Sequence, residues 1–379
     1  MSLRVALVAD MPEERWPSMD LVGEMLQEQL GRRSDVDPLL IRPSMKRRFS
    51  RADDFSSGRY NADRLVGRMI DYPRDLRALR DRFDVFHIID HSYANLALDT
   101  PAGRTVVTCH DIDAFRALVE PETFRRPWWM RKIAARVLGG MQSAAKVTCD
   151  SNATRDALLS YELMPESKLV VIPLGVHPSC SPEISQADTA LEAILPAGTE
   201  PELLHVGSTI ERKRIDILLL VFAAVRARHP ETKLLRVGGE FTGEQRTLAE
   251  KLGLMGSIVV LPYLDRDLLA AVYRRACALL LPSSAEGFGL PVVEAQASGT
   301  PVVCSDLPVL REAGGDAADY VGIRDIEGFA TRVIRLLEDE NLRTSRSEAG
   351  LKNAARFSWS LAASAFKEIY EALARSRSR

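Results

Sequence analysis

Cysteine is scarce and scattered. The five thiols, Cys109, Cys149, Cys180, Cys277 and Cys304, contain no C-x-x-C pair and are odd in number, which argues against a disulfide framework and a zinc site and leads us to expect a reducing cytoplasm. Charge of one sign is lacking as well: 50 Lys and Arg stand against 52 Asp and Glu, so no global field draws nucleic acid. The first apolar run, Val5–Ala9, meets Asp10 at once and reads as a buried strand, not as a signal peptide or membrane anchor. No G-x-G-x-x-G follows that strand, which counts against a dinucleotide dehydrogenase. There is no internal repeat and no low-complexity segment, only basic clusters at Arg42–Arg51 and Arg125–Arg136.

What is present is a rhythm. Short continuous apolar runs (VALVA, DVFHII, TVVTC, LVVIP, ELLHVG, KLLRVG, SIVVLP, ALLLPS, TPVVCS) alternate with stretches of helical spacing such as RIDILLLVFAAVRARH. Continuous rather than alternating hydrophobicity predicts parallel strands buried on both faces, hence α/β doubly wound sheets. A length of 379 residues suits two such domains. The segment from Ile172 to Glu202, rich in Pro, Ser and Thr, reads as a linker, giving domains at 1–175 and 203–355 around a linker at 176–202. The last amphipathic helix, from Leu361 to Arg375 within 356–379, is expected to pack back on the N-terminal domain, with the charged RSRSR end frayed.

The strongest local signal is LLLPSSAEGFGLPVVEAQASGTPVVCS, a strand, a Gly-containing loop, a helix opening near Pro291 and another strand. Gly287 and Gly289 are expected to offer backbone N–H groups in a loop that runs into a helix N-terminus, where an anionic group is favoured. Glu286 before the loop and Glu294 one turn into the helix could each accept hydrogen bonds from vicinal hydroxyls. The residues E-G-F-G-L-P-V-V-E-A, followed by A-S-G-T-P-V-V, resemble the hallmark of glycosyltransferase family 4, the retaining sugar transferases of the GT-B fold. HVGSTIERKRIDILLL resembles that family's strand–loop–helix in which a Gly, here Gly207, precedes an Arg-Lys pair, here Arg212 and Lys213.

The resemblance carries expectations about roles. It implies a GT-B architecture, two Rossmann-like domains facing across a cleft, with Arg212 and Lys213 offsetting the charge that grows on a departing diphosphate. It implies Glu286 on the donor sugar, Glu294 on the ribose, and Gly287, Phe288, Gly289 and Leu290 lending support from the loop. VVLPYLDRDLL resembles the region that packs on the nucleobase, bringing in Tyr263 and Leu264. T-V-V-T-C-H-D resembles the strand-end motif of the family's catalytic His, which makes His110 the residue that orients the sugar and helps to stabilise positive charge at the anomeric carbon. Leu174 stands where the family has Asn, and Ser18 and Met19 take the places of a Gly-Gly pair, so contacts to the acceptor there are altered. His87, Asp90, His91, Ser92 and Tyr93 form a polar strand end on the acceptor side.

Asp111 and Asp113 spell D-x-D, a metal-binding pattern in the other large glycosyltransferase fold; with Arg212 and Lys213 filling that role, no metal or other cofactor is expected. The implied reaction is front-side transfer with retention, from a nucleotide diphosphate sugar to a carbohydrate or lipid-linked acceptor, the leaving phosphate taking the proton. Bacterial polysaccharide or glycoconjugate assembly is the leading expectation. A nucleotide-sugar 2-epimerase or a non-catalytic binder of the same fold are the competing readings. RRPWWMRKIAARVL sets five basic residues around Trp128 and Trp129, a pattern that suits either a surface helix or contact with anionic lipid.

Overall fold

The structure, a computed structural model, describes residues 2–51, 54, 57–196 and 198–375; of the charged tail only Arg375 is among them. The chain divides into two compact units, one running to Gly175 and resumed at Trp359, the other Val176–Ser358.

The first unit runs β1 (Leu3–Val8), α1 (Pro17–Gly31), β2 (Val36–Ile41), α2 (Gly58–Val66), a π-helical turn (Gly67–Asp71), α3 (Tyr72–Arg77), β3 (Val85–Ile88), a 3-10 segment (His91–Asp99), β4 (Thr105–Cys109), α4 (Arg116–Val119), α5 (Trp128–Ser143), β5 (Lys146–Cys149), α6 (Asn152–Ser160) and β6 (Leu169–Val171). Its six parallel strands lie in the order β2-β1-β3-β4-β5-β6. The central strands are apolar on both faces because helices cover both: every residue of β3 and β4 is buried. Pro38, which cannot donate to a ladder, is confined to the edge strand β2.

The second unit runs α7 (Gln186–Ile194), β7 (Glu202–Val206), α8 (Ile215–Arg228), β8 (Lys233–Val237), α9 (Gly243–Lys251), β9 (Ile258–Leu261), α10 (Arg266–Arg275), β10 (Ala278–Leu281), α11 (Leu290–Ala297), β11 (Val302–Ser305), α12 (Pro308–Gly314), β12 (Ala318–Val321), α13 (Ile326–Glu338) and α14 (Glu340–Ala354). Its sheet is also six-stranded and parallel, in the order β12-β11-β10-β7-β8-β9. α8 buries seven apolar side chains, among them Leu218, Leu219 and Phe222, and α13 packs beside it; each such side chain contributes about 1.5–3 kcal/mol of burial.

One boundary differs from the sequence reading. The segment 176–202, read as a linker, belongs to the second unit and contains α7, capped by a Ser185–Asp188 capping box and tied to α10 by Arg274, whose guanidinium holds Asp188 at 2.6 Å. Composition alone hides a helix whose anchor lies 86 residues away. The last helix, α15 (Trp359–Arg375), belongs to the first unit. Its Tyr370 hydroxyl meets His87 Nδ1 at 2.6 Å, and Lys367 reaches Asp35 at 2.9 Å. His87 is therefore a buried packing residue, its other nitrogen on Thr108 at 2.7 Å, and burial pushes its pKa down to about 3.

Candidate active site

Strand order fixes where a ligand can enter each unit. In an open α/β sheet the crevice lies beyond the strand C-termini where the chain reverses its direction of winding. In the second unit that point falls between β7 and β10. The strand ends there deliver the two most distinctive motifs to one place.

After β7, Gly207 leads to the short turn Glu211–Lys213. After β10 comes Ser284, whose N–H donates to the Arg212 carbonyl at 2.7 Å and ties the two loops together. The side chains then converge: Lys213 Nζ donates to Glu286 Oε1 at 2.6 Å, and Arg212 Nη1 donates to Glu286 Oε2 at 3.2 Å and to the Ala285 carbonyl at 2.9 Å. The Glu286 side chain is only 6% exposed, and burial alone would raise its pKa; Lys213 and Arg212 outweigh that and hold it below its usual value. Two cations converging on one carboxylate suit a phosphate group.

The surrounding backbone is shaped for close approach. Gly238, at φ +123°, has no room for a side chain: a Cβ would lie 2.2 Å from the Gly207 carbonyl oxygen. The buried Arg236 donates to the carbonyls of Gly207 (3.2 Å) and Gly239, fixing both loops. Tyr263, which could have been a core residue, is 64% exposed with its ring edge beside Gly239, and Leu264 follows half-buried. Gly289 caps α11 at φ +97°, its α carbon packed so closely that a Cβ would lie 3.0 Å from Leu310. The Phe288 side chain is buried edge-on against Phe357, so only its backbone can serve a ligand. Leu290 opens α11, and Gly287 precedes it in the same loop. Glu294 lies one turn into α11, its Oε2 accepting the Tyr273 hydroxyl at 2.9 Å; burial raises its pKa despite that bond.

The first unit has its own reversal point, between β1 and β3. Asp10 follows β1 and Asp90 follows β3, both buried. Asp90 caps the 3-10 segment through Ser92 N at 2.7 Å and Ser92 Oγ at 2.5 Å. Among the described residues the Asp10 side-chain oxygens have no hydrogen-bond donor, and burial, with Asp90 and Glu14 beside it, pushes its pKa well up. His91 accepts the His110 N–H on Nδ1 (3.3 Å) and lies 3.5 Å from Asp111 through Nε2. Asp111 also accepts the Asp113 N–H at 3.0 Å, so part of the D-x-D pattern is used in a local turn. Among the described residues no three His, Cys, Asp or Glu side chains are grouped to hold a metal ion.

His110 departs from expectation. Its Nδ1 meets Asp150 Oδ2 at 2.5 Å and its Nε2 meets the Ile89 carbonyl at 2.7 Å. A carbonyl only accepts, so both nitrogens donate and the ring is an imidazolium. Burial opposes that charge, but Asp150 overrides it and lifts the pKa to about 10. In this geometry both ring nitrogens already have partners. Tyr93 likewise leaves the acceptor side: it is fully buried, with Arg68 4.2 Å over its ring and its hydroxyl accepting the Met11 N–H at 3.3 Å. Ser18 and Met19 lie in the first turn of α1, not in a loop. Asp10, Arg68 and Asp150 escaped the sequence reading, although Asp150 directly follows β5 and Asp10 stands two residues past β1, the one signal that could have found them.

The family described as Glycosyltransferase Family 4 matches residues 24–179, and the one described as Glycosyl transferases group 1 matches residues 187–353. The chain belongs to glycosyltransferase family 4. It is a glycosyltransferase of the GT-B fold. Phosphatidyl-myo-inositol mannosyltransferase of Mycolicibacterium smegmatis is 29% identical over 76% of this chain and 71% of its own. Among solved structures, sucrose-phosphate synthase of Thermosynechococcus elongatus superposes with a TM-score of 0.77 at 20% identity, covering 99% of this chain and 100% of that one. Anabaena HepE, solved with UDP and glucose, has a TM-score of 0.74 at 15% identity, covering 98% and 100%. The last two establish likeness of fold.

Proposed function

We propose that this glycosyltransferase moves a hexose-type sugar from a nucleotide diphosphate donor to an acceptor hydroxyl, with retention and without a metal ion, in the cytoplasmic assembly of a bacterial polysaccharide or glycoconjugate. The observation that carries the donor half is the Lys213–Glu286–Arg212 cluster at the reversal point of the second unit. Lys213 has three N–H donors and gives one to Glu286. A diphosphate arriving beside it gains charge-assisted hydrogen bonds that strengthen as negative charge grows on the leaving group. Glu286, held ionised by the same cations, is an acceptor for sugar hydroxyls, and Glu294 for the ribose. Exposed Tyr263 offers a face to the base.

On the acceptor side the reading assigns Asp90, His91 and Ser92, and adds Asp10, since buried carboxyl groups at a strand-end crevice are hydroxyl acceptors. His110, locked to Asp150, positions this strand end and takes no proton, consistent with the leaving phosphate serving as base. The mannosyl and inositol-lipid chemistry in the name of the Mycolicibacterium relative, and UDP with glucose in HepE, support a sugar nucleotide and a polyol or lipid-linked acceptor.

The test is the anomer released when water replaces the acceptor. Incubation with UDP-glucose, UDP-N-acetylglucosamine and GDP-mannose, followed by proton NMR, is expected to show the α-anomer of one sugar first, then mutarotation. The β-anomer first would refute retention, and no release from any donor would refute the donor assignment.

A further inference from the structure

The second basic cluster remains unexplained by catalysis. In α5 the only buried residues are Val137, Gly140 and Met141, so the stretch Trp128–Arg136 contains no buried side chain. Its far end is fixed tightly to the 3-10 segment: a Cβ on Gly140 would lie 2.0 Å from the Ala94 carbonyl oxygen. The helix is thus anchored at one end and projects two large indoles at the other, Trp128 at 69% and Trp129 at 48% exposure. A helix whose purpose were to cover the sheet would turn these residues inward.

The neighbouring surface continues the apolar character. A groove of about 490 Å³ separates α5 from α2 and the π-helical turn, with Leu65, Met69 and Ile70 on one wall and Ile133 on the other, between Lys132 and Arg136. Leu65 and Ile70 are themselves exposed. Lys132 lies 4.9 Å over the Trp128 ring, which joins groove and indoles into one patch.

The charge around this patch has one sign. Arg125, Arg126, Arg131, Lys132 and Arg136 are all exposed, and no acidic residue occurs from Thr123 to Cys149. None of the five forms an ion pair among the described residues. The other basic cluster, Arg42–Arg51, differs: Arg42 pairs with Asp20, and Arg48 with Asp71 at 2.6 Å. Clustered unpaired cations rimming exposed indoles and aliphatic side chains, in a chain of net charge −2, match a surface that is anionic at its headgroups and apolar just beneath. Nucleic acid would satisfy the cations but not the aliphatic groove.

We propose that the face formed by the exposed half of α5 and the α2–π-turn ridge docks the first unit onto an anionic lipid bilayer, with Trp128, Trp129 and Ile70 entering the headgroup layer and Arg125, Arg126, Arg131, Lys132 and Arg136 on lipid phosphates. This docking is independent of the proposed donor, acceptor and stereochemistry. No helix among the described residues is long and apolar enough to cross a membrane, so the contact is with the surface.

The experiment is co-sedimentation of the full chain with phosphatidylcholine vesicles, with and without phosphatidylglycerol, at low and high salt. Partitioning is expected to rise at least about ten-fold with the anionic lipid and to fall with salt. Trp emission should shift to the blue on binding. Trp128→Ser/Trp129→Ser and Arg131→Glu/Lys132→Glu should each lower partitioning about ten-fold or more at unchanged melting temperature. Arg246→Glu, an exposed cation of the second unit, should leave partitioning unchanged. Equal binding to neutral vesicles, no binding, or binding that survives both double variants would overturn the proposal. So would a dimer in sedimentation velocity that the Trp variants dissociate without any vesicle binding, or capture of an oligonucleotide that displaces the vesicles.

Discussion

Lys213 and Glu286 meet at 2.6 Å beyond β7 and β10; His110 and Asp150 meet at 2.5 Å beyond β4 and β5. Both are carboxylate–cation pairs at the ends of parallel strands, yet they differ in what they leave unused. The first has a second cation, Arg212, 27% exposed at the side chain, and a lysine with further donors. The second is closed, since the remaining His110 nitrogen holds the Ile89 carbonyl. A pair whose lysine keeps further donors can receive a ligand, whereas a saturated pair holds a strand end in place.

The largest expected effect tests the open pair. Lys213→Ala should lower donor turnover by about 10²–10³-fold, while the melting temperature falls modestly because Arg212 still faces Glu286; initial rates and thermal unfolding measure both. The closed pair should behave in reverse. Asp150→Asn leaves a buried imidazolium without its counter-charge and should cost about 3 kcal/mol of stability, with a smaller loss of turnover than Lys213→Ala. If Asp150→Asn instead abolished turnover at unchanged stability, the contrast would fail.

The same pair predicts a pH dependence. His110 titrates in the fold at about 10, above its ordinary 6.5, so its stabilising contribution is complete below about pH 6.5 and is lost as pH rises to about 10. Urea denaturation across that window should show the decline in the natural chain and a weaker one in Asp150→Asn. Asp10 opposes folding instead: burial holds its pKa well above the ordinary value, so the penalty grows as pH rises and the unfolded chain ionises. Asp10→Asn should therefore raise the melting temperature, by more at pH 8 than at pH 5. Smallest of all, Tyr273→Phe removes the donor to Glu294 and should weaken nucleotide binding by about 1 kcal/mol, measured by titration calorimetry.

How legible each pair was follows from its chemistry. Arg212, Lys213, Glu286 and Glu294 sit in contiguous motifs whose spacing is dictated by a loop and a helix turn, and both sheets were plain from apolar runs such as ALLL and TVVTC. His110 was found, but its partner was not: Asp150 lies 40 residues on, and only the adjacency of β4 and β5 brings it near. The role assigned to His110 was drawn without that partner, and a ring's protonation is set by neighbours that a linear motif does not contain. Asp10 and Asp90 are 80 residues apart and meet only because β1 pairs with β3. α7 was hidden by proline and serine at its flanks, where a capping box and a distant arginine decide the outcome.

The central claim is that the Arg212–Lys213–Glu286 cluster is a metal-independent clamp for a nucleotide diphosphate. Thermal unfolding of the natural chain and of Lys213→Ala with UDP, GDP, ADP and their sugar conjugates, with and without magnesium, tests it most directly, because a ligand of the native state raises the melting temperature by mass action. The account predicts a selective rise with one nucleotide, equal with and without magnesium and lost in Lys213→Ala; a rise that requires magnesium, or one that persists in the variant, would contradict it.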